Sequence, residues 1–296
     1  MTKFDVCVIG HVTRDVVAVA GQPAREMPGG TAYYAAVALR RLGLRTVVVT
    51  RMAPEDQPLL LDDLRAEGAT TRCADSGATM VFENAYPTGN PDARQQRVRA
   101  VADPFEAADL TGVTAKIYHL GPLTAGDVSV AFMKHVAGQG GRLSLDVQGV
   151  LRRVQNGRVS PADWPDKAAG LAHVDILKAD AGEAEVLTGE GDLDSAARAL
   201  AALGPKEVII THGRMGALIH AHGQTIRIAP VHAARVVDPT GCGDSFMAGY
   251  LQQRLKSVEV ERAGRFAAAV AALKLGRFGP FAGSEADVEA LLTAQA

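Results

Sequence analysis

The chain has 296 residues and a formal net charge of −2, with 47% hydrophobic and 22% charged residues. This composition allows a sizeable core and excludes a mainly disordered chain, and without basic runs it argues against a nucleic-acid or membrane partner. Only three cysteines occur, Cys7, Cys73 and Cys242, and no leader-like segment precedes the first apolar run, so we expect a cytoplasmic protein.

Short apolar runs alternate with helical patterns along most of the chain. Predicted strands cover residues 6–9, 46–50, 117–120, 143–147, 176–178 and 207–211, and predicted helices cover residues 32–42, 59–67, 129–138, 182–187, 245–255 and 260–275. Strands separated by helices of this length are typical of βαβ units, and continuously apolar strands are typical of a parallel sheet covered on both faces. The sequence therefore predicts an α/β domain with a mostly parallel central sheet.

Two stretches depart from this alternation. Residues 13–20 alternate in polarity directly after the first strand, and residues 78–86 and 94–101 flank a polar turn at 87–92. We interpret them as a small β-sheet that forms a lid, although an ordinary edge hairpin is the alternative. The predicted boundaries are 1–12, 25–74 and 102–296 for the core, and 13–24 and 75–101 for the lid.

The segment with the clearest chemistry is a glycine-rich turn between a strand and a helix at residues 236–246. Gly241 and Gly243 allow backbone N–H groups to converge at a helix start, which suits an anion. Asp244 would repel a phosphate, so it makes better sense as a base that accepts a proton from an attacking hydroxyl. A helix N-cap is an equally good interpretation of Asp244 from local pattern alone.

Other readings of this turn fit less well. The chain has no G-x-x-x-x-G-K-[ST] motif, and Phe246 occupies the third glycine position of a dinucleotide fingerprint. Cys242 could be a thiolate nucleophile, because a helix start lowers the pKa of a thiol, but no base stands at a fixed spacing from it.

Three further sites remain open at this level. Gly29 and Gly30 precede a small-residue helix and could form a hinge or simply a tight turn. His220 and His222 could share a metal, although an exposed hairpin end is the simpler reading. Glu183 and Glu185 open a helix, where they complement its dipole or orient water bound to Mg²⁺.

Two motifs together resemble the ribokinase-like (PfkB) carbohydrate kinase family. Residues 29–43 resemble its N-terminal signature, and residues 238–244 resemble its C-terminal signature, which usually reads D-T-x-G-A-G-D. The resemblance implies a three-layer α/β/α domain with a mostly parallel sheet and a small β-sheet lid. It also implies transfer of a phosphoryl group from ATP, with Mg²⁺, to a hydroxyl of a small sugar or polyol. Edge-to-edge pairing of the lid could make a homodimer.

The resemblance also implies roles for individual residues. On the acceptor side, Asp244 is the catalytic base, Gly241, Cys242 and Gly243 form the anion hole, and Asp15, Gly29, Gly30, Tyr34 and Arg152 bind or enclose the substrate. On the donor side, the nucleotide residues are Lys178, Asp180, Thr211, Gly213 and Gly216. Glu183 supports Mg²⁺ through water, and Asp238 could help to hold a monovalent cation such as K⁺.

Several positions depart from the family pattern. Tyr34 replaces an asparagine that contacts sugar in ribokinases, which indicates a substrate other than ribose, and Asp180 replaces the asparagine of N-x-x-E. Residues 121–123 and 146–149, with Arg152, are similar to the inositol-kinase-like branch. A nucleoside kinase, or a non-catalytic binding protein on the same scaffold, is the alternative function.

Overall fold

A computed structural model describes residues 3–19, 24–86 and 95–295 of the chain. In these residues the strands are, in chain order, β1 (Phe4–Ile9), β2 (Thr13–Val19), β3 (Arg25–Gly29), β4 (Thr46–Met52), β5 (Thr70–Asp75), β6 (Val81–Tyr86), β7 (Gln95–Ala100), β8 (Ala115–Leu120), β9 (Arg142–Asp146), β10 (Arg152–Gln155), β11 (Arg158–Pro161), β12 (Ile176–Asp180), β13 (Glu207–Thr211), β14 (Ala217–Ala221) and β15 (Gln224–Ile228).

The helices follow the predicted alternation with the strands. They are α1 (Thr31–Arg41), α2 (Gln57–Leu60), α3 (Asp62–Ala66), α4 (Val130–Ala137), α5 (Lys167–Leu171), α6 (Ala181–Thr188), α7 (Leu193–Ala201), α8 (Cys242–Leu255), α9 (Val260–Leu275) and α10 (Glu285–Ala294). Within the described part of the chain, every helix is too short or too polar to cross a bilayer.

The larger sheet has nine strands in the order β15-β14-β13-β12-β9-β8-β1-β4-β5. The seven strands from β13 to β5 are parallel, and β14 and β15 extend the sheet antiparallel at one edge. The predicted mostly parallel α/β sheet is therefore confirmed.

Helices cover both faces of this sheet because side chains alternate between the two faces of each strand. On β1, Val6 and Val8 join a core with α1, α8 and α9, whereas Cys7 and Ile9 join a second core with α4, α6 and α7. The result is the three-layer α/β/α arrangement that the resemblance implied.

A second sheet has six strands in the order β10-β11-β7-β6-β2-β3. It consists of three antiparallel hairpins, β2–β3, β6–β7 and β10–β11, and β2 and β6 join the first two in parallel. The polar turn predicted at residues 87–92 lies outside the described residues.

The second sheet is larger than the predicted boundaries allow. Both β3 and the β10–β11 hairpin belong to it, although the boundaries assigned residues 25–29 and 152–161 to the core. The hairpin turns at Asn156 and Gly157, which both have positive φ, 50° and 72°. Asn-Gly is a strong signal for such a turn, so the sequence contained the information needed to find this hairpin.

Candidate active site

A cavity of about 750 Å³ lies between the carboxyl ends of the parallel strands and the second sheet. Most of the predicted site residues line it: Asp15, Gly30, Tyr34, Arg152, Lys178, Asp180, Thr211, Gly213, Gly241, Gly243 and Asp244. Ligands of open α/β sheets bind at this end of the strands, since the loops there converge on a common crevice. The residues singled out from two distant motifs therefore meet in one cavity.

Asp244 is the third residue of α8, whose N-cap is Gly241, so the N-cap interpretation of Asp244 is wrong. Burial raises the pKa of the Asp244 carboxyl to about 6, and the nearby charge of Asp146 acts in the same direction. The Thr31 hydroxyl donates a hydrogen bond to this carboxylate. A carboxylate with such a pKa can be ionised at neutral pH and still accept a proton readily.

The anion-hole turn depends on glycine. Gly241 has φ of 77°, and a Cβ at this position would overlap the ring of Tyr34, which packs beneath the turn. A Cβ on Gly243 would lie 3.2 Å from Nζ of Lys178. The backbone amides at the start of α8 and the Lys178 ammonium are therefore neighbours, as binding of a phosphoryl group requires.

Lys178 forms a buried ion pair with Asp146, with 2.9 Å between Nζ and Oδ2. The two residues are direct partners in the parallel register of β9 and β12. Burial alone would lower the pKa of Lys178, but the charges of Asp146 and Glu183 outweigh it and raise the pKa above its ordinary value. The lysine is thus held as a cation at the floor of the cavity.

Asp180 and Glu183 form a capping box at the start of α6. The Asp180 N–H donates to Oε2 of Glu183 at 2.7 Å, and the Glu183 N–H donates to Oδ1 of Asp180 at 2.8 Å. Burial raises the pKa of Glu183 to about 7, assisted by the negative charges of Asp146 and Asp180. The two neighbouring carboxylates of Asp180 and Glu183 suit a hydrated Mg²⁺, because this ion favours carboxylate and water oxygens as ligands.

Residues of the second sheet line the side of the cavity that is expected to hold the acceptor. Asp15 lies on β2, where the Thr13 hydroxyl donates to its Oδ1 at 2.6 Å. Asn84 on β6 and Gln96 on β7 also line the cavity, and Nε2 of Gln96 donates to Oδ1 of Asn84 at 3.0 Å. Carboxylate and amide groups of this kind suit an acceptor with several hydroxyls.

Glycine is needed at positions 29 and 30 because the backbone there lies close to the residues that line this side of the cavity. A Cβ on Gly29 would lie 2.5 Å from Oδ2 of Asp15, and Gly30 has φ of 85° next to the carbonyl oxygen of His11. Tyr34 is only 3% exposed, and burial raises the pKa of its hydroxyl, with the charges of Asp15, Asp238 and Asp244 adding to the effect. It contacts the cavity as a neutral, mostly packed side chain.

The side of the cavity that is expected to hold the phosphoryl donor continues into an adjoining cleft of about 550 Å³. Asp180, Thr211, Gly213 and Met215 line this cleft. Gly216 closes the same loop with φ of 91° but does not line either cavity, so its contribution is to the shape of the loop.

The geometry of the structure does not match three of the roles considered from the sequence. Cys242 lies outside the cavity lining, and burial raises the pKa of its thiol to about 11, which argues against a thiolate nucleophile. In the described residues no group of three or more His, Cys, Asp or Glu side chains is placed to hold a metal, so His220 and His222 lack further ligands. Asp238 also lies outside the cavity lining, and its carboxylate is paired with the ammonium of Lys274.

Several residues of the cavity were missed from the sequence. They are Thr13, Thr31, Asn84 and Gln96, whereas Leu123 and Gln148 belong to the segments similar to the inositol-kinase-like branch. Thr31 directly follows the Gly29-Gly30 pair at the first position of α1, and that position was a usable signal. Asn84 and Gln96 face one another across a hairpin, and their meeting depends on a register that the sequence does not specify.

The fold and this cavity together define a phosphotransferase of the ribokinase-like class, which acts on hydroxyl groups. The family model described as pfkB family carbohydrate kinase matches residues 83–287. The chain therefore belongs to the PfkB family, and it is a sugar or nucleoside kinase in the broad sense of that family.

Individual relatives differ in what they act on. The chain is 27% identical to a cytidine kinase of Thermococcus kodakarensis, over 84% of this chain and 87% of the relative. It is 27% identical to an inositol 3-kinase of Oryza sativa subsp. japonica, over 93% and 70%.

Solved structures give the same fold. A pyrophosphate-dependent kinase in the ribokinase family, complexed with a pyrophosphate analog and myo-inositol, superposes with a TM-score of 0.86 and 30% identity, over 96% of this chain and 99% of that one. Arabidopsis thaliana ribokinase complexed with ribose and ATP superposes with a TM-score of 0.81 over 98% and 99%, at 22% identity, a likeness of fold alone.

Proposed function

We propose that this protein transfers the γ-phosphoryl group of ATP to a hydroxyl of a small cyclic polyol of the inositol type, with Asp244 as the general base. The observation that carries the proposal is the position of Asp244, whose pKa is raised to about 6 by burial, between the anion-hole glycines and the polar wall of the second sheet. A base, an anion site and an acceptor wall within one cavity are what transfer to an alcohol requires.

The polarity of the acceptor wall favours a polyol. Asp15, Asn84 and Gln96 offer carboxylate and amide groups to several hydroxyls. The inositol 3-kinase relative and the myo-inositol complex among the structural neighbours support the same choice. Tyr34, in the place of the sugar-binding asparagine of ribokinases, is consistent with an acceptor other than ribose.

A nucleoside is the second acceptor to test. Phe82 and Leu123 give the cavity an apolar portion against which a base could stack. The cytidine kinase relative supports this alternative.

The choice of ATP as donor rests on Met215, an apolar side chain that lines the donor cleft. Met215 lies on the loop after β13 and is 66% exposed. Apolar surface of this kind favours a purine, whereas pyrophosphate, the donor of a structural neighbour, would leave it uncovered.

In the proposed reaction the acceptor hydroxyl hydrogen-bonds to Asp244 and loses its proton to this carboxylate as its oxygen attacks the γ-phosphorus. The bond between the γ-phosphorus and the β,γ-bridging oxygen breaks at the same time, and ADP leaves with that oxygen. Amides of the Gly241–Gly243 turn and the Lys178 ammonium hold the oxygens of the transferred group. Mg²⁺, supported by Glu183 and Asp180, supplies neutralisation of phosphate charge when bound. We propose that the second sheet acts as a lid that limits hydrolysis by water.

A matrix of donors and acceptors tests the proposal. Purified protein is incubated with ATP or pyrophosphate against myo-inositol, ribose, fructose, cytidine and adenosine, and the phosphorylated product is followed by ³¹P NMR. We expect product with ATP and an inositol. Product only with cytidine or adenosine would show that the acceptor is a nucleoside and not an inositol. Product only with pyrophosphate would show that pyrophosphate, and not ATP, is the donor.

A homodimer through the second sheet is part of the proposal. Its edge strands in the chain are β3 and β10, and edges with open backbone groups can pair with a second copy. Sedimentation equilibrium is the test. A Val154→Pro change on β10 should leave the mass unchanged if β3 forms the interface, and dissociate the dimer if β10 forms it. A purely monomeric wild type would rule out the dimer.

A further inference from the structure

Lys274, near the end of α9, is a fully buried lysine outside the cavity. Its relative exposure is 0%, and its ammonium contacts three oxygens. Nζ donates to the Asp238 carbonyl at 2.8 Å, to Oδ2 of Asp238 at 3.2 Å and to the Arg277 carbonyl at 3.3 Å. An ammonium has three donors and no acceptor, so these contacts use its full capacity.

These oxygens lie where a monovalent cation was expected. Family resemblance had assigned Asp238 to a cation such as K⁺ beside the anion hole. The donor set of carbonyl and carboxylate oxygens is chemically right for such an ion, but the Lys274 ammonium already has the carboxylate and two carbonyls. The residues present therefore do not fit a free K⁺ at Asp238.

The ammonium is connected to the anion-hole turn through Asp238. The second oxygen of Asp238, Oδ1, accepts a hydrogen bond from the Thr240 N–H at 2.9 Å. The Cys242 N–H donates to the Pro239 carbonyl at 3.1 Å, and this closes the turn that sets Gly241 in its left-handed conformation. Lys274 thus orients Asp238, and Asp238 orients the amides that face the phosphoryl group.

Charge gives a second reason for a cation at this place. The Asp238 side chain is only 12% exposed, and without a partner its negative charge would stand behind a turn that must attract an anion. The positive charge of Lys274 also reaches the Cys242 thiol, where it opposes the rise in pKa that burial causes. A fixed cation here keeps the potential of the turn positive.

We propose that the Lys274 ammonium is a built-in substitute for the monovalent cation, and that this kinase consequently works without K⁺. Lys274 is a positioning residue, since it acts through Asp238 on the anion hole. The inference rests on the proposed function only for its activity readout.

The test compares a variant that opens the ammonium site with one that fills it. Lys274→Ala leaves a space lined by the same oxygens, which K⁺ or NH₄⁺ can enter, whereas Lys274→Met fills the space with an uncharged chain. Turnover is measured in KCl, NH₄Cl and tetramethylammonium chloride at equal ionic strength. Lys256→Ala, which removes a half-exposed lysine paired with Glu285, is the matched control.

We expect wild type and Lys256→Ala to have the same turnover in all three salts. Both Lys274 variants should lose about tenfold or more in tetramethylammonium chloride, because Asp238 is left without its partner. KCl and NH₄Cl should restore Lys274→Ala severalfold and leave Lys274→Met unchanged.

Thermal unfolding provides a readout that needs no acceptor. The Tm of Lys274→Ala should rise with KCl relative to tetramethylammonium chloride, since a ligand that binds only the folded state stabilises it, while the Tm of wild type should not. This arm stands even if the proposed acceptor or donor is wrong. Stimulation of the wild type by K⁺, full turnover of Lys274→Ala in tetramethylammonium chloride, or equal cation responses of the Ala and Met variants would each overturn the proposal.

Discussion

Asp244 combines a buried position with a negative charge that the proposed mechanism requires. Replacing it with asparagine keeps the shape but removes the proton acceptor, so Asp244→Asn should lower turnover by about a hundredfold to ten-thousandfold. Steady-state kinetics give the loss, and calorimetric titration of nucleotide should show nearly unchanged binding. Full activity of the variant would show that Asp244 is not the general base.

The pKa of Asp244 predicts a pH dependence of activity. The base must be ionised, and burial raises its pKa to about 6, so kcat/KM should fall on the acidic side with an apparent pKa near that value. In the Asp244→Asn variant the residual activity should lack this limb. A wild-type profile that stays flat down to pH 5 would contradict the assignment.

The raised pKa of Asp244 also affects stability, and here the protonated form is the favourable one, whereas activity requires the ionised form. Folding raises the pKa of Asp244 from its ordinary value of 3.8 to about 6, so the fold favours the protonated form. This contribution is fully present below pH 3.8 and is lost as pH rises through about 6. Asp244→Asn should therefore be more stable than wild type at pH 7.5, by on the order of 1 kcal/mol, in urea unfolding. The gain should shrink at pH 5, and an equal gain at both pH values would contradict this account.

The side chain of Cys242 has no role in the proposed mechanism, although the residue belongs to the anion-hole turn. Burial raises the pKa of its thiol to about 11, so almost no thiolate exists at neutral pH. Cys242→Ala should keep turnover within about twofold of wild type, since alanine is the usual family residue at this place. Loss of all activity in this variant would revive the thiol as nucleophile.

At the scale of elements, the start of α1 depends on the conformation of one residue. Gly30 has φ of 85°, and a Cβ there would meet the His11 carbonyl, whereas Gly43, after α1, has φ of 84° and open space around it. Gly43→Ala should cost about 1 kcal/mol from backbone conformation alone. Gly30→Ala should cost about 3 kcal/mol or more and also reduce turnover, because Thr31 and the acceptor wall must shift. Urea unfolding of the pair measures the difference, and equal costs would contradict the crowding at Gly30.

Pairing between β9 and β12 places Lys178 opposite Asp146. Lys178→Met should lower stability by about 3–5 kcal/mol, because it leaves a buried carboxylate unpaired, and should lower turnover by about a hundredfold or more. Adding Asp146→Leu should restore much of the stability and none of the turnover. Recovery of turnover in the double variant would show that the lysine acts only on folding.

At the scale of the whole molecule, the fold was predictable because strand and helix patterns follow one another regularly. The Gly29-Gly30 pair and Asp244 could be singled out as candidates because each belongs to a short local motif. Asp146 with Lys178, and Asp238 with Lys274, were not found as pairs, since each joins residues more than thirty positions apart through sheet register or helix packing. The β10–β11 hairpin was missed although its Asn-Gly turn was visible in the sequence.

The second sheet is assembled from three separate excursions of the chain, each of which leaves the main domain as one strand and returns as the next. Each excursion is one hairpin with both ends anchored in the layer below, and it pairs with a neighbouring hairpin in the sheet. Under the proposed function, exchanging one hairpin between relatives would change the acceptor contacts and leave the residues proposed to bind phosphate in place. Substrate choice could then change without any change to the residues proposed for catalysis.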